Sequence, residues 1–350
     1  MADQAAEERG FDAVDAAAAT GPVATGGAAA GPVTSGGRLI RPMAEMLREL
    51  WHDKPGFIGL AVLVALVLMA VFAPLLAPHD PASQSLIDRL KPPVWQEGGS
   101  WEYVLGTDHL GRDMLSRVIH GSRISLMVGV AVVALAGGFG VFMGLVAGYF
   151  GGRIDAAIMR FVDTLIAFPG LLLALVILAV VGPSMTTVII VLALNGWMVY
   201  ARMTRGIVLS VRQLPYVEAA EMVGCRSGRV ILRHVLPNLV SPLLTLGILE
   251  FARIVLAEAA LSFLGLGIQP PATSWGLDVA NGKDYLFRAW WLVTIPGVAI
   301  AITVLAINLL ASWARVTSDP QEREKRFART VAAQARRRKQ RGAAVPQAAE

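Results

Sequence analysis

Six stretches of this sequence, 57–77, 124–150, about 165–182, 185–203, about 239–264 and 290–314, stay apolar for close to the roughly 20 residues that carry a helix across a bilayer. No water reaches backbone N–H and C=O groups inside a membrane, so such a pattern has to cross as helices. The expected fold class is therefore an all-α integral membrane protein with six transmembrane helices. The fifth stretch stands apart, because Glu250, Arg253 and Glu258 interrupt it. Composition agrees: 55% of the 350 residues are hydrophobic and 16% charged, against about a quarter charged in soluble domains.

The distribution of Lys and Arg sets the orientation. With both termini in the cytoplasm, segments 1–56, 151–164, 202–238 and 315–350 hold 23 of them, and the outer segments 78–123 and 265–289 hold seven. Arg112, Arg117 and Arg123 in the first outer segment weaken the contrast without reversing it. The chain divides into a disordered tail (1–37), an N-terminal segment with the first span and an outer loop (38–123), a core membrane domain (124–314) with an inner loop at 202–238, and a basic tail (315–350). The first tail is rich in Ala, Gly, Thr and Pro and buries too little apolar surface to fold. Acidic residues dominate its start and no apolar core follows, so it is no signal peptide. The last tail carries Arg336, Arg337, Arg338, Lys339 and Arg341 without interleaved aromatics. That pattern suits attraction to the anionic lipid bilayer and not nucleic acid.

Several chemistries are excluded. The single cysteine, Cys225, leaves no disulfide framework and no Cys-rich metal site. The five histidines form no H-E-x-x-H helix, and Gly282-Lys283 runs into Asp284 without the upstream glycine of a phosphate loop. No catalytic, cofactor-binding or metal-ligating residues are expected in this chain.

The inner loop carries the most informative pattern. Pro215 suits the first turn of a helix, on which Tyr216, Ala219, Ala220 and Val223 share a face. Gly224 suits the left-handed turn that ends it. Ser227 is placed to cap a second helix, along which Arg226, Arg229 and Arg233 line up, with Pro237 closing it. The expected product is a helix–glycine–helix knob led by small residues. It fits either docking onto a partner protein or resting on lipid headgroups.

Glu218-Ala219-Ala220, Gly224, Ile231 and Leu236-Pro237 resemble the E-A-A loop of ATP-binding cassette (ABC) import permeases, with Val235 near the place of that pattern's isoleucine. Gly106-Thr107-Asp108 with Gly111-Arg112-Asp113, then Ser116-Arg117 and Gly121-Ser122-Arg123, resembles a signature of the dipeptide/oligopeptide branch. Ala260 to Gly267, Gln269-Pro270-Pro271, Trp275-Gly276 and Trp290-Trp291 before Pro296-Gly297 resemble the same branch, over roughly residues 54 to 320. The similarity is to its C-type subunit. It implies a MetI-like fold with an extra N-terminal helix and a complex with a B-type permease subunit. Two ATP-binding cassette ATPase subunits or domains, which carry ATP and Mg, and an extracytoplasmic peptide-binding protein complete that complex. It also implies that Glu218, Ala219, Ala220, Val223, Gly224, Arg226, Arg229, Leu236 and Pro237 couple the ATPases to the spans. Related permeases take dipeptides, longer peptides or nickel chelates. Without the resemblance, an ion-coupled transporter or a membrane scaffold would fit the spans as well.

Glu250 and Arg253 are three residues apart and can pair on one helix face; they form a structural pair or line a polar path. Glu258 is expected to face a partner permease or the cavity. Gly140, Gly144 and Gly148 repeat every four residues, which suits close helix packing. Leu110, Met114, Val118 and Ile119 are expected to stripe an outer surface helix, either near the binding-protein dock or as a lead-in to the second span.

Overall fold

The computed structural model of the chain describes residues 50, 51 and 53–318. The expected tails, 1–37 and 315–350, lie outside the described residues except for 315–318, which end the last helix instead of opening a tail.

Nine helices carry the architecture of the described part: α1 Lys54–Val71, α2 Met114–Phe150, α3 Gly152–Ile166, α4 Gly170–Val181, α5 Met185–Arg212, α6 Pro215–Met222, α7 Ser227–Phe263, α8 Trp275–Gly282 and α9 Trp291–Ser318. Among the described residues the extended pairing is an isolated bridge between Thr107 and Asp113. Five helices, α1, α2, α5, α7 and α9, are each long and apolar enough to cross a bilayer. The sixth crossing is a broken one. α3 and α4 meet at a bend of 82°, where Pro169 contributes no N–H and its ring bars the helix from continuing. The third span therefore starts at Gly170 rather than near Leu165, and its 12 residues reach only about 18 Å. α3 is amphipathic and is strapped to α5 by Arg205 on Asp155 (3.0 and 2.6 Å) and Arg202 on Asp163 (2.5 Å).

The helices alternate in direction, so the connections gather at two ends. One end holds 78–113, 182–184 and 264–290; there the start of α2 is tied to the last of these by Arg117 to Asp278 and by the Trp275 indole donating to the Val118 carbonyl (2.9 Å), and to the first by Arg117 donating to the Pro81 carbonyl (3.3 Å). The other holds 151–169 and 213–226, and there the end of α5 is tied to that of α2 by Arg212 donating to the Tyr149 carbonyl (2.6 Å). We call these the knot end and the knob end. α1 runs antiparallel to α9: a Cβ at Gly56 would lie 2.7 Å from the Trp313 Cβ, and one at Gly59 2.6 Å from the Ala306 carbonyl oxygen.

α2 and α5 form the tightest pair. A Cβ at Gly140 would sit 2.3 Å from the Trp197 carbonyl oxygen, at Gly144 2.5 Å from that of Ala201, and at Gly148 2.8 Å from the Val208 Cβ. The four-residue glycine repeat thus serves close packing. Val128, Val132, Leu178, Val188, Val191, Ile254 and Leu261 fill the core between α2, α4, α5 and α7. Val64, Leu68, Phe139, Phe142, Val176 and Val180 stay exposed, as lipid-facing side chains do when the solvent is hydrocarbon.

Candidate functional site

α6 stands on a small apolar base. Val217 from α6, Val230 and Val235 from the start of α7, Val208 and Val211 from α5 and Tyr149 from α2 are buried together with Leu239. Pro215 occupies the first turn, as the sequence predicts, and Glu218 sits where an acid complements the positive end of the helix. The far end closes by two bonds: Gly224 N–H to the Glu221 carbonyl (2.9 Å) and Cys225 N–H to that of Ala220 (3.1 Å). This is a Schellman turn. Gly224 has φ +84 with no atom within 4 Å of an added Cβ, so the backbone angle, not space, demands glycine.

The outward surface is larger and greasier than a small-residue face. Met222 and Val223 are 83% and 84% exposed, beside exposed Glu218, Ala219, Gly224, Arg226 and Arg229. Ala220 is half-buried. Tyr216 accepts a bond from Asn238 (3.1 Å), and Arg212 lies 3.7 Å from Glu221 and 4.9 Å from the Tyr149 ring centroid. These contacts hold the knob's root and leave its tip bare.

Two expectations about the second helix need correcting. Ser227 is its first residue, not its cap; Arg226 is the N-cap, and no side chain caps it. Pro237 closes nothing: the helix runs on from Ser227 to Phe263 as one continuous element of 37 residues. Residues Ile231–Val235 form a π turn just before the proline. The wider turn accommodates the ring and the missing N–H, which a regular α-helix would resist. Leu236 and Pro237 consequently lie at the foot of the knob, half-buried, and do not join Glu218–Gly224 at its tip.

The charged residues of α7 separate into two kinds. Arg253 donates from Nε (2.8 Å) and one Nη (2.6 Å) to the same Oε2 of Glu250, the pairing that their spacing predicts. Glu258 departs from the expectation of facing a partner or cavity. It is 1% exposed and accepts from Ser262 (2.8 Å), Ser274 (2.9 Å) and Ser125 (3.4 Å). Three hydroxyls from α7, the cap of α8 and α2 thus satisfy a buried carboxyl inside the chain itself.

The Gly106–Asp113 signature is a polar knot, and the helix begins only at Met114. Asp108 accepts from the N–H groups of Leu110 and Arg112 and from Arg112 Nε (2.6 Å). Asp113 caps α2 through Ser116 N–H (3.0 Å) and also accepts from the Ser116 hydroxyl (2.6 Å). Arg117 donates twice to Asp278, and the Trp291 indole donates to the Thr107 carbonyl (3.1 Å). A Cβ at Gly111 would overlap the Ser85 carbonyl oxygen. The stretch is therefore a fold-stabilising lead-in to the second span. Sequence reading passed over Asp278, Ser274 and Ser125; the one available signal was their proximity to Trp275-Gly276 and Ser122-Arg123.

Among the described residues no group of three His, Cys, Asp or Glu could hold a metal.

Comparison with known families matches residues 140–324 to the binding-protein-dependent transport system inner membrane component, and residues 41–93 to the N-terminal TM domain of oligopeptide transport permease C. The chain is 41% identical over 280 residues to the di/tripeptide transport system permease protein DppC of Pseudomonas aeruginosa, covering 80% of this chain and 92% of that protein. It is 43% identical over 279 residues to the dipeptide transport system permease protein DppC of Escherichia coli, covering 79% and 93%. It is 36% identical over 282 residues to the protein of the same description in Alkalihalophilus pseudofirmus, covering 81% and 91%.

Proposed function

The chain belongs to the family of binding-protein-dependent transport system inner membrane components, and on that premise we propose that it forms half of a dipeptide pathway driven by ATPases docked on its α6 knob. A multi-pass inner-membrane permease of an ABC importer works with a second permease, ATPase subunits and an external binding protein. In our reading the second permease is of the B type, and nucleotide chemistry resides wholly on two ATPase subunits or domains. Dipeptide as the substrate class is supported by the names of the relatives.

The observation that carries the coupling reading is the bare tip of α6. Met222 and Val223 are more than four-fifths exposed at the end of a helix whose root is buried, and Glu218, Arg226 and Arg229 rim them. An apolar tip with a charged rim suits a protein cleft, where the tip is desolvated and the rim fixes register. The knob end is then cytoplasmic, as the Lys and Arg bias expects. With the bent pair as one span, six crossings put Lys54 and Ser318, the ends of the first and last described spans, on that same side.

The test uses the chain's single cysteine. Cys225→Ser followed by Val223→Cys leaves one probe at the exposed tip. Paired with cysteines along the ATPase cleft, it should crosslink in the assembled importer, with a yield that changes when nucleotide is added. A chain whose knob rests on headgroups gives no such crosslink, and that result overturns the coupling reading. Peptide uptake that follows an ion gradient without ATP would instead favour an ion-coupled transporter.

A further inference from the structure

We infer that Arg253 receives the carboxylate of the travelling peptide at the middle of the membrane; the inference rests on the importer reading above. Arg253 lies ten residues before the end of α7 at Phe263, about 15 Å at 1.5 Å per residue. That is half the roughly 30 Å hydrocarbon core. Arg253 lies level with Gly196 of α5, a Cβ there being 4.0 Å from one Nη; Arg202, six residues further towards the knob end, is paired to Asp163.

The pair with Glu250 is polarised. The Arg253 side chain is 51% exposed and that of Glu250 9%, so the carboxylate points into the chain and the guanidinium out of it. Nε and one Nη both serve Glu250 Oε2, and the remaining Nη has no partner among the described residues. Hydrocarbon cannot cover such a group at that depth without large cost. The face it occupies therefore borders water or another polar surface. A guanidinium binds a carboxylate through two parallel N–H donors, which matches the one anionic group that every dipeptide carries.

Tyr200 completes the arrangement as a positioning residue. It is 2% exposed, and its hydroxyl has no hydrogen-bond partner among the described residues. It lies in the field of both Glu250 and Arg253, and a Cβ at Gly247, one turn before Glu250, would be 3.7 Å from its oxygen. Buried hydroxyls are rarely left unpaired. This one can donate to Glu250 when the guanidinium turns to a substrate, so the buried carboxylate is not left bare.

The experiment takes the complete importer in vesicles with its binding protein and measures ATP-driven uptake of a dipeptide and of its C-terminal amide. Each rate is normalised to binding-protein occupancy. No uptake by the unmodified importer would break the functional reading, separately from this inference. The expected result is that the unmodified importer moves the acid faster than the amide. Arg253→Gln should slow the acid about tenfold, the scale of one lost hydrogen bond to a charged group, and bring the two rates together. Arg253→Lys should recover part of the preference, and Tyr200→Phe should slow the acid more than the amide. Equal rates in the unmodified importer, or a preference surviving in Arg253→Gln, overturns the inference. Loss of the co-purifying second permease in Arg253→Gln also overturns it, because Arg253 would then be an inter-subunit contact.

Discussion

At the knot end, Asp108, Arg112, Arg117 and Asp278 are each under a tenth exposed and meet one another within the chain. At the knob end, Arg226, Arg229 and Arg233 are all exposed, and so is Glu218. The same residue types thus serve opposite purposes. Buried and paired, they lock the outer loops to the starts of α2 and α8; exposed and grouped around an apolar tip, they are left for a surface that the chain does not supply. The contrast teaches that charge in a membrane protein has to be read with its burial, because sequence spacing alone makes both regions look like solvated helices.

The contrast breaks most severely at the knot. Arg117→Met leaves Asp278 buried without its counter-charge, which should cost about 3–5 kcal/mol. Thermal unfolding of the purified protein should show a large drop, and Arg117→Met with Asp278→Leu should recover much of it. Next is Gly144→Val, which drives a side chain against the Ala201 carbonyl oxygen, 2.5 Å from the added Cβ. Overpacking at that seam should cost about 1–3 kcal/mol in the same measurement. Gly224→Leu comes third. It meets no neighbouring atom, but its φ of +84 strains an L residue by about 1–2 kcal/mol. Uptake per ATP hydrolysed should suffer more than the melting temperature. Smallest is Met222→Ala with Val223→Ala, expected to stay within about 0.5 kcal/mol of the parent while ATPase subunits co-purify less well. If that double change lowers stability as much as Gly144→Val does, the knob tip belongs to the folded core and the comparison fails.

Much of the fold was legible because hydrocarbon imposes a single rule on every span. The apolar cores of the first, second and last spans, 57–77, 124–150 and 290–314, could be read from hydropathy alone; the turns of α2 from Met114 to Arg123 that precede Ile124 could not, because Arg117, His120 and Arg123 interrupt them. The third span was legible only in part: Leu165 to Gly182 is apolar throughout, and although Pro169-Gly170 signals a bend, neither it nor hydropathy registers that the bend reaches 82° and starts a new helix at Gly170. Pro237 misled in the opposite direction: the helix runs on through a π turn whose Ile231 and Val235 pack with Val208 and Tyr149, residues distant in sequence. The turn at Gly224 was readable because proline before and glycine after are local signals. Glu258 was not, because its hydroxyl partners Ser125 and Ser274 lie 133 and 16 residues away. Arg253 showed its pairing in the sequence, but its unequal exposure relative to Glu250 emerged only when α5 and α7 came together.

The π turn at Ile231–Val235 also has a mechanical consequence. By absorbing Pro237 it keeps Ser227–Phe263 a single shaft of 37 residues, about 55 Å of contour. The shaft is mounted three residues beyond the Gly224 turn. A side load at the tip of α6 meets no chain break before Phe263, although Pro237 and Pro242 each remove one backbone hydrogen bond near the foot of the shaft. It becomes a tilt or twist of the whole shaft, as with a crank. The torque would reach Glu250 and Arg253 along the helix itself, past Pro237 and Pro242.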